Sequence, residues 1–147
     1  MTQQQNPARQ LIGESWIRKV LVVNGVSSGG TALLLLLFPG FVGKLSGLDN
    51  QAALMGAGAY LLLVVAFTFI TASRKVVSPK AVLTLSVIDF LWVAKSLVLL
   101  GVSSSFLTAI GTAAVIFVGI VVGVFAVLEA VYYKHNRDYG KVGTQHI

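Results

Sequence analysis

Charge is what this sequence has little of. Only 11% of its 147 residues are Asp, Glu, Lys or Arg, against 56% hydrophobic, whereas a soluble globular domain carries about 25% charged residues. Too few polar side chains exist to cover a surface facing water. The mean hydropathy of +0.85 reads as an integral membrane protein. Cysteine is absent, which excludes disulfides, a thiolate nucleophile, and Cys-held iron–sulfur or zinc centres. Both histidines, His135 and His146, fall in the C-terminal tail, so a bis-His haem within the membrane is excluded, and a metal site is not expected. The apolar segments contain no Ser/His/Asp set, no metal-ligand spacing and no phosphate loop. An enzyme is therefore not expected, and neither is a cofactor.

What is present is a series of long apolar runs. Val20 to Gly43 contains no charged residue, and neither does Asn50 to Ser73. Each exceeds the roughly 20 residues that cross a hydrocarbon core of about 30 Å. A third run follows Pro79-Lys80 and carries Asp89 and Lys95. Ser96 to Leu128 is uncharged throughout, too long to finish one span, and Gly101-Val102-Ser103-Ser104-Ser105 supplies a turn. Spans are expected at 20–38, 52–72, 81–100 and 106–131, with tails at 1–10 and 137–147 that are flexible and cytoplasmic. Runs such as Leu33 to Phe38 show no alternation, which favours helices over barrel strands. Pro39-Gly40 is expected to end the first helix, and Pro79 to open the third. The fold class is an all-α four-helix transmembrane bundle forming a single domain. A cleavable signal peptide is not expected, because the first apolar run is longer than a signal core and no small-x-small site closely follows it.

The basic residues give an orientation. Arg9, Arg18, Lys19, Arg74, Lys75, Lys80, Lys134, Arg137 and Lys141 fall on one side of this arrangement, and Lys44 stands alone on the other. The positive-inside rule then places both termini in the cytoplasm. The net charge of +6 is accounted for by this pattern and by headgroup contacts, so no nucleic-acid partner is expected.

Polar residues inside the spans are the candidate site. Asp89 lies about 14 Å beyond Lys80 at 1.5 Å per residue, near the midplane, where an Asp costs about 2.5–3.5 kcal/mol on insertion scales. It must face the bundle interior or water. Two readings stand side by side: a proton- or ligand-binding carboxyl, and an interhelical hydrogen bond that locks the bundle. Ser86, Asp89, Trp92 and Ser96 share one helical stripe, and Ser27, Ser28 and the shallower Asn24 of span one are the expected partners. Lys95 reads as a lysine snorkelling to the far interface, with a contact to Tyr60 as the alternative. Glu129, near the depth of Arg18, Lys19 and Lys134, reads as half of an interfacial ion pair, with a second proton site as the alternative.

Gly25-x-x-x-Gly29 and Gly119-x-x-x-Gly123 are small-residue faces that let helices approach closely. Packing within the bundle is the first reading of these faces; since span one and span four each carry one, the second is that at least one face remains free for another membrane subunit or a second copy of the chain.

One set of residues also resembles a known group. Asn24-Gly25-Val26-Ser27-Ser28-Gly29-Gly30 leads into the Leu run and Phe38-Pro39-Gly40, followed by Gly47-Leu48, Gly56-Ala57-Gly58 and Arg74. Ile88-Asp89-Phe90-Leu91-Trp92-Val93 with Ser96 comes next, then Leu107-Thr108 and Gly111. Over residues 20–130 the chain resembles a widespread family of small, uncharacterised bacterial four-span membrane proteins, with Asp-x-x-Trp and the following Ser the most specific element. Lys95 replaces a small residue of that pattern, Glu129 stands where Gln is common, and the basic tail after Tyr133 is longer. The resemblance implies fold, topology and a bacterial inner membrane, and no activity. The leading expectation is a non-enzymatic accessory or interaction subunit holding membrane lipid or another apolar ligand between its helices. The alternative is a small oligomeric proton- or ion-coupled transporter or channel using Asp89.

Overall fold

The computed structural model describes residues 11–103 and 105–138. The tail at 1–10 with Arg9, Ser104 of the turn, and residues 139–147 with Lys141 and His146 lie outside the described residues. The elements are α1 (Glu14–Leu37), α2 (Pro39–Ser46), α3 (Gln51–Ser73), α4 (Pro79–Val102) and α5 (Ala109–Asn136). Four of them, α1, α3, α4 and α5, are long and apolar enough to cross a membrane. The protein is an all-helical, multi-pass transmembrane bundle. Only 17–33% of each span's most apolar window is buried inside the protein, as expected for helices whose outer faces meet lipid.

The helix ends follow local chemistry. α1 begins at Glu14, earlier than the expected position 20, because Glu14 favours a first turn and accepts from Arg18 one turn on at 2.9 Å. The Asn50 side chain caps α3 by accepting from the Ala53 N–H at 3.0 Å. The Thr108 hydroxyl does the same for α5 from the Gly111 N–H at 2.9 Å. Pro39-Gly40 does more than end the first helix. α1 stops at Leu37, Phe38 leaves helical geometry, and Pro39 opens the separate short helix α2, the position where its missing N–H costs least. α5 runs on to Asn136 instead of ending at 131.

Packing divides the bundle into two pairs. α1 lies along α3 and α4 along α5, while contacts between the pairs are sparse: α1 meets α5 and α3 meets α4 at few positions. At the end where α1 and α4 start and α3 and α5 finish, Ile17, Leu21, Ala72, Val77, Val82, Leu85 and Tyr132 form the apolar core. Polar ties close this end. The Tyr132 hydroxyl donates to the Val77 carbonyl at 2.9 Å. The Asn136 amide both donates to the Ile12 carbonyl and accepts from the Ile12 N–H. The Arg18 guanidinium donates to the carbonyls of Ala72 and Arg74 at the frayed end of α3, satisfying groups that a helix terminus leaves open. At the opposite end α2 docks on the start of α5. The Thr108 N–H donates to the Ser46 carbonyl at 3.0 Å, and the Thr108 hydroxyl donates to the Leu45 carbonyl. Gly111 is required there, since a Cβ on it would lie 2.3 Å from the Ser46 oxygen.

Candidate functional site

Asn24 lies ten residues into α1 and Asp89 ten residues into α4, so both sit about 15 Å from the same end of the bundle. α5 runs the other way and brings Glu129, seven residues before its last residue, to meet them. The Asn24 amide nitrogen donates to Asp89 Oδ2 at 2.9 Å and to Glu129 Oε1 at 3.1 Å. Its own oxygen accepts from the Ser28 hydroxyl at 3.0 Å. Both amide protons are thereby used, each on a different carboxyl group, and three helices are joined through one side chain. Asn24, Asp89 and Glu129 are 3%, 6% and 0% exposed, so the centre lies inside the bundle and not on its surface.

The charge balance at this centre is unusual. The ion pairs among the described residues are Arg18 with Glu14 and Arg137 with Asp138; neither carboxyl of the buried centre faces a cation. Glu129 Oε2 is buried without a hydrogen-bond partner among the described residues. No group of three or more His, Asp or Glu that could hold a metal ion occurs among the described residues.

The expected interfacial pairing of Glu129 is thus corrected. α5 continues past 131, which puts Glu129 deeper than Arg18, Lys19 and Lys134. Lys19 and Lys134 are exposed, and Arg18 is engaged with Glu14 and the end of α3. Of the three expected partners of Asp89, one bonds it directly. Asn24 bonds the carboxyl, Ser28 reaches it only through Asn24, and Ser27 is exposed, its carbonyl accepting from Thr31. Along α4, the Ser86 hydroxyl donates to the Ala126 carbonyl of α5 at 2.8 Å, while the Ser96 hydroxyl turns back to the Trp92 carbonyl. The stripe therefore splits: Ser86 and Asp89 serve the buried centre, and Trp92 and Ser96 do not touch it.

Beyond the centre, toward α2, Ser27, Ser28 and Thr31 of α1 face Leu61, Trp92 and a Phe117–Val122 wall across a recess of about 100 Å³. Trp92 stacks on Tyr60, and the Lys95 ammonium lies 5.2 Å above the Tyr60 ring, so Lys95 meets that ring from α3. The small-residue faces both meet neighbours in the same chain. A Cβ on Gly25 would press on the Phe69 ring of α3, and Gly29 faces Val65. Gly119 and Gly123 face Ser96 and Val93 of α4 at 4.0 and 3.8 Å. Both faces pack within the bundle, in the pairing of α1 with α3 and of α4 with α5, and the alternative that one face stays free is corrected.

Set against known proteins, the chain matches no family model, no curated protein and no solved structure. The functional reading rests on the geometry of the buried centre.

Proposed function

We propose that this chain is a non-enzymatic, multi-pass membrane protein that takes up a proton or a monovalent cation at Asp89 and Glu129, working as a small oligomeric ion-coupled transporter or channel. The observation that carries this is the Asn24 amide divided between two buried carboxyl groups with no cationic side chain bonded to either. Ionisable groups inside a span mark proton and ion pathways by default. An uncompensated buried charge is strongly destabilising, so the centre calls for positive charge from outside the chain. Glu129 Oε2 offers an acceptor for it. Four spans are few for a translocation path, hence the oligomer.

The membrane is taken to be a bacterial inner membrane, in line with the resemblance to small bacterial four-span proteins. Both termini are placed in the cytoplasm. Arg18, Lys19, Arg74, Lys75, Lys80, Lys134 and Arg137 gather at one end of the bundle and Lys44 lies on α2 at the other, which supports this orientation.

The test is flux in liposomes holding a pH-sensitive dye, under an imposed membrane potential, with Na⁺ and K⁺ gradients as parallel arms. Wild type should pass protons or one of these cations. Asp89→Asn and Glu129→Gln should each abolish the flux while still inserting as folded protein. Wild-type flux equal to that of empty vesicles in every arm sinks the proposal.

A second reading has its own support. The Asn24 amide is saturated and ties α1 to both α4 and α5, which is what a purely structural network does. An accessory subunit for other membrane proteins would need no more than this. In that case Asp89→Asn leaves function intact, and the protein should instead co-purify with a defined partner.

A further inference from the structure

We propose that the groove between α3 and α4 binds an anionic phospholipid, with Lys95 meeting its phosphate. α3 and α4 are consecutive in sequence and adjacent in space, yet they scarcely touch. The Tyr60–Trp92 stack ties them, and Lys95 of α4 sits over the same Tyr60 ring. Beside it lies an open recess of about 370 Å³ lined by Ala57, Tyr60, Trp92, Lys95, Ser96 and Leu99. Lys95 is the one charged residue of that lining, and the Ser96 hydroxyl proton is already given to the Trp92 carbonyl.

Lys95 is exposed and lies seven residues before the end of α4, about 10 Å along the axis. Among the described residues it forms no ion pair. A lysine at this depth is costly unless its charge is met. The Tyr60 ring, 5.2 Å from the ammonium, meets part of it and holds the group at the mouth of the groove. The complement that a bilayer supplies is the phosphate of a lipid in the leaflet on the α2 side, which the lysine reaches by snorkelling. Ala57 leaves room for the acyl chain, with Leu99 and the Trp92 face as its apolar wall. A zwitterionic lipid brings its own cation to compete with Lys95, whereas an anionic lipid does not. Neither Asp89 nor Glu129 lines this groove, so the proposal stands apart from ion binding at the carboxyl pair.

Native mass spectrometry of the full chain, offered equal amounts of phosphatidylglycerol and phosphatidylcholine with matched acyl chains, tests it. Wild type should retain phosphatidylglycerol about fivefold better, the effect of one lysine near an anionic headgroup. Lys95→Gln should abolish the preference, and Lys44→Gln, which removes the other lysine on this side, should leave it unchanged. Ala57→Phe should fill the groove and remove retention of both lipids. Leu99→Trp takes its place if circular dichroism shows that Ala57→Phe does not fold. No preference in wild type, a preference surviving Lys95→Gln, an equal loss in Lys44→Gln, or full retention with the groove filled would overturn the proposal.

Discussion

The Tyr60 ring lies flat against the Trp92 indole, centroids 6.2 Å apart and planes 7° from parallel, across an interface with few other contacts. The same indole backs the recess that Ser28 lines from the other side, and Ser28 bonds Asn24. One aromatic side chain therefore separates the lipid-facing groove from the polar interior.

Removing either ring should loosen α3 from α4. Tyr60→Ala should cost about 0.5–1.5 kcal/mol beyond the lost apolar area, the usual worth of a paired aromatic. Unfolding in mixed micelles measures the cost. Quenching of Trp92 by brominated lipid should rise in the same variant.

The buried centre makes a prediction about stability that is separate from flux. Asn24→Leu leaves two carboxyl groups without their donor and should cost about 1–3 kcal/mol for each group left unsatisfied. Asp89→Asn keeps an acceptor for Asn24 and removes a buried acid, so it should unfold no more easily than wild type. If Asn24→Leu melts with wild type, the hydrogen bonds described here do not hold the helices together.

The glycines divide into two classes. A Cβ on Gly58 would lie 3.0 Å from the Ala32 carbonyl oxygen, and one on Gly111 lies closer still to Ser46. Backbone cannot move aside as a side chain can, so Gly58→Ala and Gly111→Ala should each cost about 1–3 kcal/mol. At Gly119 and Gly123 a Cβ finds ordinary contact distances. Alanine there should be neutral, or stabilising by up to about 1 kcal/mol through helix propensity. Melting curves of the four variants in one detergent decide the contrast.

Orientation is tested by labelling. A cysteine at Lys44 should react with an impermeant thiol reagent added outside intact cells, and cysteines at Lys75 or Arg137 should not. The chain has no cysteine of its own, so the background is clean. The reverse pattern would overturn the argument from basic residues.

Span number and helical class were legible because hydropathy alone decides them, and Asp89 stood out because a mid-span acid is expensive. Asn24 was legible as one of three candidate partners for it; which of the three bonds the carboxyl was not. Asn24 and Ser28 are four residues apart and so share a helix face, a signal that favoured Ser28 over Ser27, but no intrahelical rule says which neighbouring helix that face meets. Glu129 was misplaced by its helix end. Tyr132, with its buried ring and hydroxyl bonded to Val77, keeps α5 going to Asn136, and that burial depends on residues more than fifty positions away. α2 is hidden in the sequence because Pro39 signals the end of α1 as strongly as the start of a new helix. Proline ends one helix and opens another with the same fixed φ.

The division into two helix pairs has a consequence for how the molecule is assembled. The α1–α3 half and the α4–α5 half each carry one tightly packed pair, and the seam between them is stitched by Asn24 to Asp89 and Glu129, Asn136 to Ile12, and Thr108 to Ser46. Lipid competes well with apolar surface but offers no substitute for these hydrogen bonds. The halves therefore recognise each other by polar matching in addition to the apolar core of Ile17, Leu21 and Ala72 against Val82, Leu85 and Tyr132. Cut in the turn at 74–78 and produced as separate fragments, they carry complementary stitches along one edge, a zip that one half from a neighbouring copy could close as readily as the half to which it was once joined.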